Sequence, residues 1–134
     1  MKRSFIILTS FIIFLAACNQ QEDVNKSDPL ESGRGFIEAS LKGDYVEARK
    51  YLLDDSTNIE YFEGFKDFNS KRSGEEREAL RESNIIIDST HDVSDSVEII
   101  SYSNTYKKEP TKIKMVKKNN EWLVDFKYTF QDSL

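Results

Sequence analysis

The chain has one cysteine, one histidine, two prolines and five glycines among its 134 residues. A single cysteine rules out an internal disulfide, so stability must come from a packed core. One histidine and one cysteine are too few for the usual zinc ligand sets. With five scattered glycines there is no Gly-rich phosphate loop, and no zinc-finger spacing or Gly-x-Ser-x-Gly elbow occurs. The net charge of −5 makes the chain a poor ligand for nucleic acid. Apolar residues run together only near the start, from Phe5 to Leu15. That run is too short to span a bilayer as a helix.

What is present there is ordered in a recognisable way. Lys2 and Arg3 precede the apolar run, and Leu15-Ala16-Ala17-Cys18 follows it. Basic start, apolar stretch of roughly ten residues and small residues before a cleavage point are the parts of an export signal. Leu15 to Cys18 resembles the lipobox of bacterial lipoproteins. That resemblance implies cleavage before Cys18, diacylglycerol on its sulfur and a lipid-anchored protein on the exported side of a membrane in the bacterial cell envelope. Two or more acyl chains hold a protein stably, since each buried CH₂ contributes about 0.8 kcal/mol. Residues 1–17 are thus expected as a signal peptide, 18–28 as a flexible polar tether and 29–134 as one domain. Removal of the signal leaves 117 residues and shifts the net charge to −7.

The domain reads as helices followed by strands. Asp28-Pro29 starts a helix that Gly43 ends, with Leu30, Ile37 and Leu41 on one side. Asp44, with Glu47 three residues on, opens a second helix. A third follows Thr57, with Tyr61, Phe65 and Phe68 at i, i+4 and i+7. The pattern breaks at Ser70 to Gly74 and resumes only weakly through Glu82. Beyond Asn84 the period falls to two. Ile85–Ile87, Ser96–Tyr106 and Thr111–Val116 read as strands, and so does the series Trp122, Val124, Phe126, Tyr128, Phe130. Asn119-Asn120 suits a tight hairpin. The expected class is α+β, three N-terminal helices packed on a four-stranded antiparallel sheet.

Phe36 to Tyr45, with Ala48 and Leu52 beyond and Glu121-Trp122-Leu123-Val124 late in the chain, is similar to small lipoproteins of the nuclear-transport-factor-2-like superfamily. The resemblance spans about residues 29–130. It implies a curved, cone-shaped sheet around the helices, whose mouth in that superfamily can hold a small ligand or an active site.

Candidate chemistry is sparse. His91 and Asp92 are adjacent, so on a strand they face opposite ways and form no dyad. Glu60, Glu63 and Asp67 share a helical face without a cation-binding loop. No catalytic, cofactor or metal site is expected. The aromatics Tyr45, Tyr61, Phe65, Trp122, Phe126 and Tyr128 either fill the core or line a pocket for a small apolar ligand. Residues 107–127 carry seven lysines against three acids, while residues 18–106 carry ten basic and twenty acidic side chains. Lys112, Lys114, Lys117 and Lys118 are therefore either a solvated sheet face or a surface for an acidic envelope partner. Two functions remain open. One is a membrane-tethered, non-catalytic accessory or binding module; the other is a ligand-binding or vestigial isomerase- or dehydratase-like domain with an aromatic-lined cavity.

Overall fold

A computed structural model describes residues 24–131. The expected signal peptide, Cys18 and residues 18–23 of the expected tether lie outside the described residues. Helix α1 (Pro29–Lys42) starts where the Asp28 carboxylate accepts the Glu31 N–H at 2.9 Å. It ends at Gly43, whose φ of 74° glycine adopts at no steric cost. The Asp44 N–H then reaches back to the Ala39 carbonyl at 2.9 Å. Helix α2 (Tyr45–Arg49) is capped by Asp44 as its sequence predicts. Helix α3 (Ser56–Ser70) is capped by Asp55 rather than Thr57: the Asp55 carboxylate accepts the Asn58 N–H. A charged acceptor two residues earlier outcompetes the hydroxyl for the same orphan donors.

Helix α4 (Gly74–Arg81) corrects the expected number of helices before the sheet from three to four. Its apolar content is low and none of its residues is buried, but Ser73 and Glu76 close a reciprocal capping box. Local capping and its packing beside α1 hold it in place of a buried stripe.

Strands β1 (Ile85–Ser94), β2 (Val97–Asn104), β3 (Thr111–Lys118) and β4 (Glu121–Asp125) form an antiparallel meander in chain order. The turn between β3 and β4 places Asn119 and Asn120 at φ of 52° and 64°, as the hairpin reading requires. Strand β1 runs well past the three isoleucines, with register breaks after Ile87 and Asp92. Since β1 and β4 are opposite edges, the sheet is open and not closed into a cone. The free edge of β4 is covered: the Trp122 N–H donates to the Lys26 carbonyl, the Val124 N–H to the Tyr51 carbonyl, and the Leu53 N–H to the Val124 carbonyl. Lys26 also pairs with Glu121 at 3.1 Å. The last residues of the expected tether thus dock against β4, which protects an edge otherwise open to another strand.

One sheet face carries α1. Gly33 lets the helix approach, since a Cβ there would stand 2.7 Å from Ile100 Cδ1. Phe36, Ile37, Ala48, Leu52, Phe62, Ile100, Ile113, Met115, Trp122, Val124 and Phe126 form the core, and all lie within residues 24–131. Ser32, fully buried, donates its hydroxyl to the Trp122 carbonyl at 2.6 Å and pins α1 to β4.

The alternating series from Trp122 to Phe130 does not continue as a strand. β4 stops at Asp125, and Tyr128–Gln131 forms a short helix, α5. The Lys127 N–H, which a longer strand would direct to β3, donates to Asn58 Oδ1 at 2.9 Å. The Thr129 hydroxyl takes the Lys112 carbonyl at 2.8 Å. Side chains thus consume the ladder groups of both strands, and the period-two pattern loses its partner.

Candidate functional site

Where the sheet meets the helices at the end that carries the β2–β3 connection, an open cleft of about 630 Å³ remains. Helix α1 supplies Phe36, Ile37, Ser40 and Leu41 to its wall, α3 supplies Phe65, Phe68 and Asn69, and α4 supplies Glu76 and Leu80. Tyr102 and Asn104 enter from the end of β2, Thr111 from β3, and Phe126, Thr129 and Phe130 from the C-terminal segment. Arg72, Lys107 and Glu109 complete its rim. Behind this opening the interior is filled. Phe36 and Phe126 stand 5.2 Å apart between ring centres, Phe65 and Phe126 5.4 Å, and Phe62 and Phe126 6.1 Å.

Of the six aromatics singled out from sequence, the cleft collects Phe65 and Phe126 only. Tyr45 packs edge-on against Phe62 and Phe65 and lines a separate groove beside Arg77. Tyr61 lies on the outer side of α3, stacked on Phe130 at 5.2 Å. Trp122 is buried in the core, its backbone bonded to Lys26 and Ser32, and does not line the cleft. The Tyr128 ring sits 6.0 Å from the Lys114 ammonium. Helical and strand periodicity each find one face, but which end of that face stays open depends on how the elements cross. Tyr102, Asn104, Asn69 and Phe36 were not identified as cleft residues from sequence. The alternation Glu98, Ile100, Tyr102, Asn104 in β2 carried a signal for two of them, since it puts both at the inner end of a core-facing row.

Asn104 Oδ1 accepts the Tyr106 and Lys107 N–H groups at 3.1 and 2.8 Å, and Asn69 Oδ1 accepts Arg72 Nε–H at 2.8 Å. Those bonds fix the orientation of both amides. Burial pushes the Tyr102 phenol up to about 12, so its neutral hydroxyl can donate or accept. The Ser40 hydroxyl, buried on α1, has no partner among the described residues.

Other charged groups prove structural. Asp125, 6 % exposed, accepts hydrogen bonds from Asn58 Nδ2 at 3.0 Å and from Lys127, with Lys114 at 3.4 Å. Burial alone would raise its carboxyl, but the Lys127 and Asn58 bonds and the charges of Lys127 and Lys114 hold it below the usual carboxylate range. Lys114 is therefore a counter-ion of a buried acid, whereas Lys112, Lys117 and Lys118 are exposed. Lys117 lies 5.9 Å from the Trp122 ring, and its N–H donates to the Ser96 carbonyl. That bond brings the β1–β2 turn, with Asp95, beside the lysine turn, so charges segregated along the chain are mixed in space. His91 is exposed on β1, opposite Ile99. Glu63 and Asp67 pair with Lys66 and Lys71, and no cluster able to hold a metal occurs among the described residues. Among those residues no helix is long and apolar enough to cross a membrane. No family model, curated protein or solved structure matches this chain.

Proposed function

We propose that the protein is a lipid-anchored, non-catalytic binding module of the bacterial cell envelope, with a nuclear-transport-factor-2-like domain that takes a small, mostly apolar ligand. The observation that carries the binding role is the cleft, with an apolar floor and a few polar groups at its wall. Its volume of about 630 Å³ falls within the ~300–1,000 Å³ of small-ligand sites. The anchor rests on Lys2-Arg3, the apolar run and Leu15 to Cys18. Binding is favoured over isomerase- or dehydratase-like catalysis because His91, the one histidine of the sequence, is exposed on β1 and does not line the cleft. Asp125, the buried acid with the strongest partners, does not line the cleft.

Two measurements test the two halves. Cys18→Ser should abolish labelling by a fatty-acid probe in the native host; unchanged labelling refutes the anchor. The mature chain carrying Cys18→Ser should bind an environment-sensitive apolar dye at one saturable site. Leu80→Trp, which intrudes on the cleft from α4 where no residue is buried, should remove that site without lowering the thermal midpoint. Dye binding that survives Leu80→Trp unchanged places the site elsewhere.

A further inference from the structure

The two ends of the sheet lie at different distances from the expected lipid. At one end Val24 packs on the core, and the Trp122 N–H donates to the Lys26 carbonyl at 2.8 Å. The Lys26 ammonium pairs there with Glu121 at 3.1 Å. The same end carries the β3–β4 turn at Asn119-Asn120, and the Lys117 N–H, bonded to the Ser96 carbonyl at 2.8 Å, holds the β1–β2 turn beside it. The cleft lies at the other end, between the second half of α1, the end of β2 and the start of β3. Two rulers in the fold give the separation. From Asp28 to Leu41 the chain rises ~20 Å along α1, at 1.5 Å per residue. From Lys118 to Thr111 strand β3 covers ~23 Å, at about 3.3 Å per residue.

The docking of Val24 and Lys26 shortens the tether that the sequence offers. Six peptide units join Cys18 to Val24, and fully extended they reach at most ~21 Å. With the acyl chains of Cys18 in the bilayer, Val24 stays within that reach of the head groups. A cleft turned toward the bilayer would put Val24 on the far side of the domain. The tether would then have to run straight through the protein to cover the ~20–23 Å between the two ends. Charge has less say. Lys117 and Lys118 are exposed and suit phosphate head groups, but Asp95 stands near them and Glu121 offsets Lys26.

We infer that the anchor seats the β1–β2 and β3–β4 turns on the surface of the anchoring bilayer, with lipid head groups as their partner and the cleft open to the aqueous compartment. The inference rests on lipidation at Cys18 and adds the face that meets the membrane. A ligand of the cleft then arrives from solution and not from the anchoring leaflet.

Lipidation consumes the one thiol of the chain, so a single introduced cysteine carries a fluorophore at one known place. Ser96→Cys marks the β1–β2 turn and Glu109→Cys the connection beside the cleft; both positions are exposed. The lipidated chain is reconstituted in phosphatidylcholine vesicles, whose neutral surface removes net-charge attraction, with a nitroxide-headgroup lipid as quencher. Fatty-acid labelling of the same preparation is scored first. Quenching of the Ser96→Cys label should exceed that of the Glu109→Cys label several-fold. Insertion of about thirty Gly/Ser residues between Gln20 and Gln21 adds a coil of ~30 Å and should bring the two signals together. Equal quenching without the insertion, or stronger quenching beside the cleft, overturns the orientation and leaves the anchor standing. A contrast that survives the insertion undiminished overturns tether reach as its cause. A chain that takes no fatty-acid label removes the anchor and this inference with it.

Discussion

Removal of the Asn58 side chain should be the most damaging single-amide deletion in this domain. Asn58 is fully buried and joins three elements. Its backbone N–H and Nδ2 group both donate to Asp55, at 2.9 and 2.7 Å. The same Nδ2 group donates to Asp125 at 3.0 Å, and Oδ1 accepts the Lys127 N–H at 2.9 Å. Asn58→Ala leaves the helix cap intact, because the backbone bond to Asp55 remains. The bond to Asp55 from Nδ2 is half-exposed and water replaces it at little cost. The other two are not replaceable. A hydrogen bond to a buried carboxylate contributes about 1.5–3 kcal/mol, and stranding a buried N–H costs about 1–3 kcal/mol. Together the loss should be about 3–5 kcal/mol, much of the stability of an ordinary small domain. Urea titration should show a lower midpoint with an unchanged slope, because the surface exposed on unfolding is the same. The companion Asn58→Asp places a third carboxylate between Asp55 and Asp125, which raises its folded value, so its defect should shrink as pH falls from neutral toward ~4. A loss under about 1 kcal/mol in Asn58→Ala would refute the view that this amide holds α3 to the end of β4.

Trp122→Ala should cost about 3–5 kcal/mol, as deletion of a buried large aromatic does, because Trp122 is 8 % exposed within the core; a thermal midpoint within a degree or two of the parent contradicts that. The Asp125 carboxyl lies below its unfolded value, so its contribution is complete above about pH 4 and is lost as pH falls through the folded value; Asp125→Asn should flatten that acid limb of a stability–pH curve, and an unaltered limb counts against the assignment. Glu98 has the opposite sign, for burial first, then Asp92 and Asp28, push its carboxyl up. Its ionisation therefore opposes folding as pH rises above the unfolded value, and Glu98→Gln should raise the thermal midpoint at pH 7 but not at pH 4; a gain of the same size at both sinks the argument. Lys118→Gln should leave stability unchanged while Lys114→Gln lowers it, because of the two only Lys114 faces Asp125; equal effects would return both lysines to one solvated face.

Local chemistry was legible from residues a few positions apart. Asp28, Pro29 and Gly43 bound α1, Asp44 opens α2, and Asn119-Asn120 turns the last hairpin, because caps and tight turns are decided by side chains and φ values within one turn of chain. The switch from period 3.6 to period 2 near Asn84 set the α+β class for the same reason. Tertiary structure decided what alternation alone leaves open. Phe126, Tyr128 and Phe130 continue the pattern of Trp122, yet Asn58 and Thr129 claim the backbone groups that a strand there needs. Lys114 reads as a surface lysine until Asp125, buried at the end of β4, faces it. The cleft is of this second kind. Its lining brings Asn69 on α3 together with Tyr102 and Asn104 on β2, more than thirty residues away. Sequence fixes which groups exist; which of them remain unpaired, and around what space, follows from how helices cross a sheet.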